Sequence, residues 1–410
     1  MVAENIDTSV VVHQVNASDA DGDTLTYSLK GTDSGYFSVS SLGAVTFDNH
    51  SPDYETQTSY DFTVVASDGT DEAEKVVQVN VFNDTYEQYD LGSAELASGG
   101  TFAGENLADV MDGSDATTSL DMSGGGGNDV LTGGLADDTI NGGDGNDELN
   151  GGAGNDLIIA GTGLDRIDGG DGIDTVLLES NAGDTVSVNL SRTWNYSGDG
   201  WNYIANVENV TTGGGNDTLI GGDDLNVANV FDAGAGDDWV YAGGGDDVLI
   251  GGEGNDQLRG GDGNDTVVFE SDDDLSVNLN TEWQAGNRDT SEGTDRLVDI
   301  ENVTTGDGSD TLVGNSEANI LTGGGGDDTL TGGDGADVFR FNATDGMSTD
   351  VITDFNREEG DKLELVNDTD DTIADAVITE TGDGGSTVTW DELTIVLDVV
   401  VTNDDFINPI

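Results

Sequence analysis

Residues 124–177 read GGGGNDVLT, GGLADDTIN, GGDGNDELN, GGAGNDLII, AGTGLDRID, GGDGIDTVL, six nonapeptides with no residue inserted or lost. The sixth place is always aspartate (Asp129, Asp138, Asp147, Asp156, Asp165, Asp174) and the eighth is always aliphatic (Leu131, Ile140, Leu149, Ile158, Ile167, Val176). A solvated glycine/aspartate linker has no reason to keep an aliphatic side chain at every ninth position, so the run is a repeat architecture. Glycines at places one, two and four are read as residues at positive φ, which turn the chain tightly without a Cβ clash. Such turns aim carbonyl oxygens into one cavity, where the aspartate adds a carboxylate. Oxygen-only donors in a flexible loop suit calcium better than magnesium. The three residues after each aspartate predict a short strand with its middle side chain inward. Two nonapeptides then make one coil, and each ion is shared by turns eighteen residues apart.

The period breaks after Val176 and returns with Asp217. An irregular coil follows, in which Asn226 and Asp232 are read as replacing the strict pattern. Asp238, Asp247, Asp256 and Asp265 continue the second run, and Asp310, Asn319, Asp328 and Asp337 form a third. The two breaks are related: TVLLESNAGDTVSVNL (175–190) matches TVVFESDDDLSVNL (266–279), and NVENVTTGGGNDTLIGG (206–222) matches DIENVTTGDGSDTLVGN (299–315). A unit of about 90 residues is therefore duplicated. Both excursions carry alternating strands and are expected to extend the sheets. They also hold Trp194, Trp201 and Trp283, aromatic candidates for stacking on sugar rings.

On these residues the chain resembles the repeats-in-toxin (RTX) family. The resemblance implies a parallel β-roll with calcium at the fifteen sixth-place residues named above, about ten ions in all. Residues 1–85 alternate polar and apolar as β-sandwich strands do, and resemble a cadherin repeat. That likeness implies an exit calcium site from Glu4, Asp53, Glu55, Asn83 and Asp84. It also implies an entry site from Asp19, Asp21 and Asp68, which in cadherins is shared with a preceding domain, so the chain is expected to be the tail of something longer. After Asp337 the sequence resembles the segment closing the rolls of secreted proteases and epimerases, with Asp350, Asp354 and Asp361 around a last ion. Asp404-Asp405-Phe406-Ile407 resembles the uncleaved C-terminal address read by type I secretion machinery.

The expected fold is all-β, a parallel β-roll solenoid in three runs with β-rich insertions, preceded by a cadherin/Ig-like sandwich. The expected divisions are 1–85 (sandwich), 86–122 (linker and cap), 123–177, 212–268 and 305–340 (roll runs), 178–211 and 269–304 (insertions), and 341–410 (C-terminal β cap with secretion signal).

Composition narrows the function. With 85 acidic against 10 basic residues, a formal charge of −75, the chain cannot neutralise phosphates, which argues against nucleic acid and anionic membranes. No apolar run approaches the length of a membrane span, and no basic-then-apolar leader predicts a cleavable signal peptide. Self-repulsion and only 34% apolar residues predict a metal-free roll that is largely unfolded, so that ion binding is folding free energy. There is no cysteine and only two histidines, His13 and His50. No HExxH, GxSxG or phosphate loop is present, so an enzyme is not expected. The third place of the repeat reads Gly126, Leu135, Asp144, Ala153, Thr162, Asp171, which lacks the threonine ladder of an ice-binding face. The reading is a secreted or cell-surface calcium-binding structural module, adhesin-like, partnered by calcium, the export machinery and an adhesion target or surface glycan. The alternative is the export-and-folding tail of a secreted enzyme, and the upstream reading frame distinguishes them.

Overall fold

The computed structural model describes residues 2–3, 10–18, 24–48, 57–82, 87–90, 100–104, 106–178, 184–198, 200–222, 227–281, 293–342, 345–346, 348–366, 377–381, 384–390 and 393–407. Contacts divide the chain into two units, one built from residues 1–90 and 104–111 and the other from residues 91–103 and 112–410.

The first unit is a small β-sandwich. Val2–Ala3, Glu72–Phe82, Ser59–Ser67 and Thr26–Lys30 form one sheet, and Val11–Gln14, Ala44–Phe47 and Phe37–Val39 form the other. Alternation along Ser59–Ser67 turns Tyr60, Phe62 and Val64 inward, where they meet Phe37, Val45 and Phe47 from the second sheet. Phe37 lies edge-on to Tyr60 at 5.7 Å between ring centroids, an arrangement aromatic pairs favour.

The second unit is a parallel solenoid. One sheet of thirteen strands runs from Gly100–Ala103 to Lys362–Val366. Its inward residues stack at matching places, Ile140 on Ile158 on Val176, each fully buried. The facing sheet stacks Leu131 on Leu149 on Ile167 in the same way. Burying one such side chain stabilises the coil by about 1.5–3 kcal/mol, and no single coil can bury its own without neighbours. Both excursions are woven into these sheets. Ile204 pairs with Ile167 and Val210 with Val176, and in the second copy Leu297 pairs with Leu258 and Val303 with Val267. The first excursion also adds an antiparallel hairpin, Trp194–Ser197 against Gly200–Ala205. Within the second excursion a seven-stranded sheet begins at Ser276–Asn278 and continues beyond it. It ends in the antiparallel strands Leu393–Leu397, Ser386–Trp390 and Val377–Glu380.

Candidate metal centres of the roll

The sixth-place aspartates are almost wholly buried; Asp174, Asp265 and Asp337 have no exposed surface. From Asp138 onward the sixth-place aspartates use one oxygen to hold the coil before them. The Asp129 N–H donates to Asp147 Oδ1 at 2.8 Å, Asp138 to Asp156 at 2.8 Å and Asp156 to Asp174 at 2.8 Å. The ladder resumes from Asp238 to Asp256 at 2.8 Å, Asp247 to Asp265 at 2.9 Å and Asp310 to Asp328 at 2.8 Å. The second oxygen is different. Oδ2 of Asp147, Asp156, Asp174, Asp238, Asp247, Asp256, Asp265 and Asp337 is buried and accepts no hydrogen bond. A buried carboxylate oxygen without a donor is costly unless a cation satisfies it.

Glycine shapes the space around that oxygen. A Cβ built on Gly142 would lie 2.5 Å from Asp147 Oδ2 and 2.7 Å from the Ala160 carbonyl oxygen of the next coil. At Gly151 it would overlap Asp156 Oδ2 and the Gly169 carbonyl. Carboxylate and carbonyl oxygens thus converge on a cradle that one carbon would fill. This corrects the reading of place one. Gly142, Gly151 and Gly169 are absent from the positive-φ glycines, whereas most glycines at places two and four are there, as at Gly143 (φ +93°) and Gly145 (φ +145°). Place one is kept for room, the others for conformation. Where it is not glycine the cradle is partly occupied, by a methyl at Ala160 and Ala233 or by a hydroxyl at Thr212, which donates to the Ala233 carbonyl at 2.9 Å.

Burial raises the pKa of these acids. Asp156, Asp256 and Asp337 are pushed up to about 6, Asp238 and Asp265 to about 7, and Asp328, which also faces Asp350 and Asp310, to about 9. Ionising such a group inside the roll calls for a counter-charge. The donor set is wholly oxygen, which fits a hard divalent cation of the calcium kind. Among the described residues no three acidic or imidazole side chains cluster, and each nonapeptide turn of residues 124–177 carries a single sixth-place acid.

Three sixth-place residues depart from this arrangement. Asp138 Oδ2 accepts the Gly134 N–H at 2.6 Å. Asn319 donates through Nδ2 to the Glu301 carbonyl at 2.6 Å and accepts from the Asn315 N–H at 2.8 Å, so its amide is satisfied internally. In the irregular coil the buried sixth-place residue is Asn229, which donates to the Glu208 carbonyl at 2.6 Å. That corrects the reading of Asn226 and Asp232. Asn226 lies outside the described residues, and Asp232 ends the strand Val230–Asp232, three places on. Counting nine back from Asp238 would have found Asn229. Sequence reasoning also missed Asn202, Glu208, Asp295 and Glu301, which accept the N–H of Asp165, Asp174, Asp256 and Asp265 at 2.7–2.9 Å. The available signal was an acid or amide two residues before an inward aliphatic.

Toward the C-terminus Asp350 Oδ1 accepts the Asp328 N–H, and its Oδ2 faces the Ser348 hydroxyl. Asp354 accepts the N–H groups of Gly332 and Gly333, and Asp361 those of Asp337 and Asn356, so both oxygens of each are engaged. Phe406 is buried, and Asp405 accepts from Arg357 Nε at 2.8 Å. Glu4, Asp19, Asp21, Asp53, Glu55, Asn83, Asp84 and Trp283 lie outside the described residues. Asp68 is described, and its Oδ1 accepts the Thr70 and Asp71 N–H groups. Trp194 and Trp201, 59% and 61% exposed, pair edge-on with Tyr203 and Tyr196. Trp239, 57% exposed, lies on the same sheet, next to Thr218.

Residues 122–149, 141–176, 207–228, 226–258, 241–275 and 304–339 match the family model of the RTX calcium-binding nonapeptide repeat. These coils are RTX calcium-binding repeats. No curated protein matches the chain. Among solved structures, human protocadherin-24 EC1-2 is 23% identical over 22% of this chain and 50% of its own, with a TM-score of 0.19. The extracellular lipase LipA from Serratia marcescens is 18% identical over 73% of this chain and 39% of its own, with a TM-score of 0.15. The chain thus spans half or less of the length of these structures.

Proposed function

We propose that this chain is a calcium-folded structural and adhesive module of a secreted or surface-anchored bacterial protein. The observation that carries the reading is the file of buried aspartate oxygens without donors, which at Asp147, Asp156, Asp174 and Asp265 lie beside a carbonyl of the next coil. In calcium-poor cytosol these charges oppose folding and the chain stays threadable. Outside the cell, calcium fills the cradles and the roll folds. The docked C-terminal end supports this order. With Phe406 buried and Asp405 clamped by Arg357, type I machinery would read that address on the unfolded chain. The test is far-UV circular dichroism with calcium and with chelator: strand content that is the same in both would remove the proposed switch.

The exposed tryptophans of one sheet favour a second role, glycan contact through Trp194, Trp201 and Trp239. In a chain of charge −75 such rings present a neutral surface to sugar. A polysaccharide array probed with the parent chain and with Trp201→Ala tests it, and equal signals from both would exclude the role.

A further inference from the structure

The two excursions interrupt the nonapeptide period, yet the ladder of aspartates does not stop at them. At the first, the loop Gly169–Asp174 is followed in space by a much shorter turn, Asn206-Val207-Glu208. Glu208 Oε2 accepts the Asp174 N–H at 2.9 Å, the place that an aspartate eighteen residues on takes in a regular coil. The added methylene of glutamate reaches where the shortened turn would leave aspartate out of range. The Asn206 backbone is at φ +50°, one of two described non-glycine residues at positive φ. A Cβ built on Gly169 would lie 2.6 Å from Asp174 Oδ2 and would overlap the Asn206 carbonyl oxygen.

The second excursion repeats each of these features in an independent copy. Glu301 Oε2 accepts the Asp265 N–H at 2.9 Å, and Asp299 is at φ +52°. A Cβ on Gly260 would overlap both Asp265 Oδ2 and the Asp299 carbonyl. The left-handed residues are pinned by their side chains, Asn206 Nδ2 donating to Asp168 Oδ1 at 2.7 Å and Asp299 accepting from Arg259 Nε at 3.0 Å. A non-glycine residue at positive φ is uncommon, and asparagine and aspartate are the types that tolerate it best. Here it turns a carbonyl toward a fully buried aspartate oxygen that accepts no hydrogen bond. The sequence repeat NVENVTTG and DIENVTTG is the written form of this device.

We propose that each excursion is closed by its own calcium ion. Asp174, the Asn206 carbonyl and Glu208 hold one; Asp265, the Asp299 carbonyl and Glu301 hold the other. This rests on the reading of the roll as calcium-filled and extends it to residues outside the nonapeptides. The ion ties together segments 34 residues apart at the first excursion and 36 at the second, so an insertion is carried without breaking the column.

The test is calcium stoichiometry of the full chain, by equilibrium dialysis at saturating calcium, with the melting temperature as second readout. Glu208→Gln keeps an acceptor for the Asp174 N–H but drops the charge, as Glu301→Gln does for Asp265. Each is expected to bind one ion fewer than the parent, and the double variant two fewer. Asn206→Gly and Asp299→Gly retain the carbonyl and tolerate positive φ, so they are expected to keep the full count. An unchanged count in the double glutamine variant, or an equal loss in the glycine variants, overturns the proposal. A parent chain that binds no calcium would instead refute the underlying reading of the roll.

Discussion

Replacing one sixth-place aspartate by asparagine should change the sign of its effect with calcium. In Asp156→Asn the retained Oδ1 still accepts the Asp138 N–H, observed at 2.8 Å. The new Nδ2 faces the Gly169 carbonyl across the cradle, as Asn229 and Asn319 face theirs at 2.6 Å. Without calcium this should stabilise the roll. Raising the Asp156 pKa from 3.8 to about 6, chiefly by burial, makes its ionised form costlier by roughly 3 kcal/mol at neutral pH. Solvent at the coil edge lowers this to about 1–2 kcal/mol, and the new amide hydrogen bond adds about 1 kcal/mol. With calcium the parent gains RT ln(1 + [Ca]/Kd), which reaches about 2.7 kcal/mol at a hundredfold excess over Kd. The stability curves of parent and variant should therefore cross near about a hundredfold excess, the variant being more stable below and less stable above. Urea melts across a calcium series measure this, with osmolyte-driven folding in chelator as the ion-free end. A variant less stable at every calcium concentration would refute the claim that the orphaned oxygen is a liability without an ion. One more stable throughout would refute the site.

Acid should compete with calcium. Asp238 and Asp265 are held at about 7 and Asp256 and Asp337 at about 6 by burial, all above their unfolded value. The ion-free fold is thus stabilised by protons as pH falls and loses that stabilisation as pH rises through these values. Calcium requires the ionised forms, so its midpoint should shift to higher concentration from about pH 7 to about pH 5, with protons released on binding, measurable by calorimetry in two buffers. Gly145→Ala combines φ +145° with overlap on the Gly127 carbonyl and should cost about 2–4 kcal/mol, read from urea melts in calcium. Arg357→Ala removes the clamp on buried Asp405. It should cost about 1–3 kcal/mol and loosen the C-terminal cap first, seen as faster amide exchange around Phe406.

What the sequence determined alone was everything that a strict period enforces. Parallel stacking at eighteen residues puts equal places on top of one another, so Leu131, Leu149 and Ile167 had to share a core and Asp129, Asp147 and Asp165 an edge. What only the tertiary structure decided were relations between coils that no local pattern writes down. Glu208 and Glu301 reach back 34 and 36 residues. Trp239 joins the sheet that carries the aromatic hairpin. The first glycine is small because a carbonyl of the following coil arrives beside it. Backbone conformation is a property of a residue and its neighbours in sequence, whereas room is a property of whatever the chain later brings alongside.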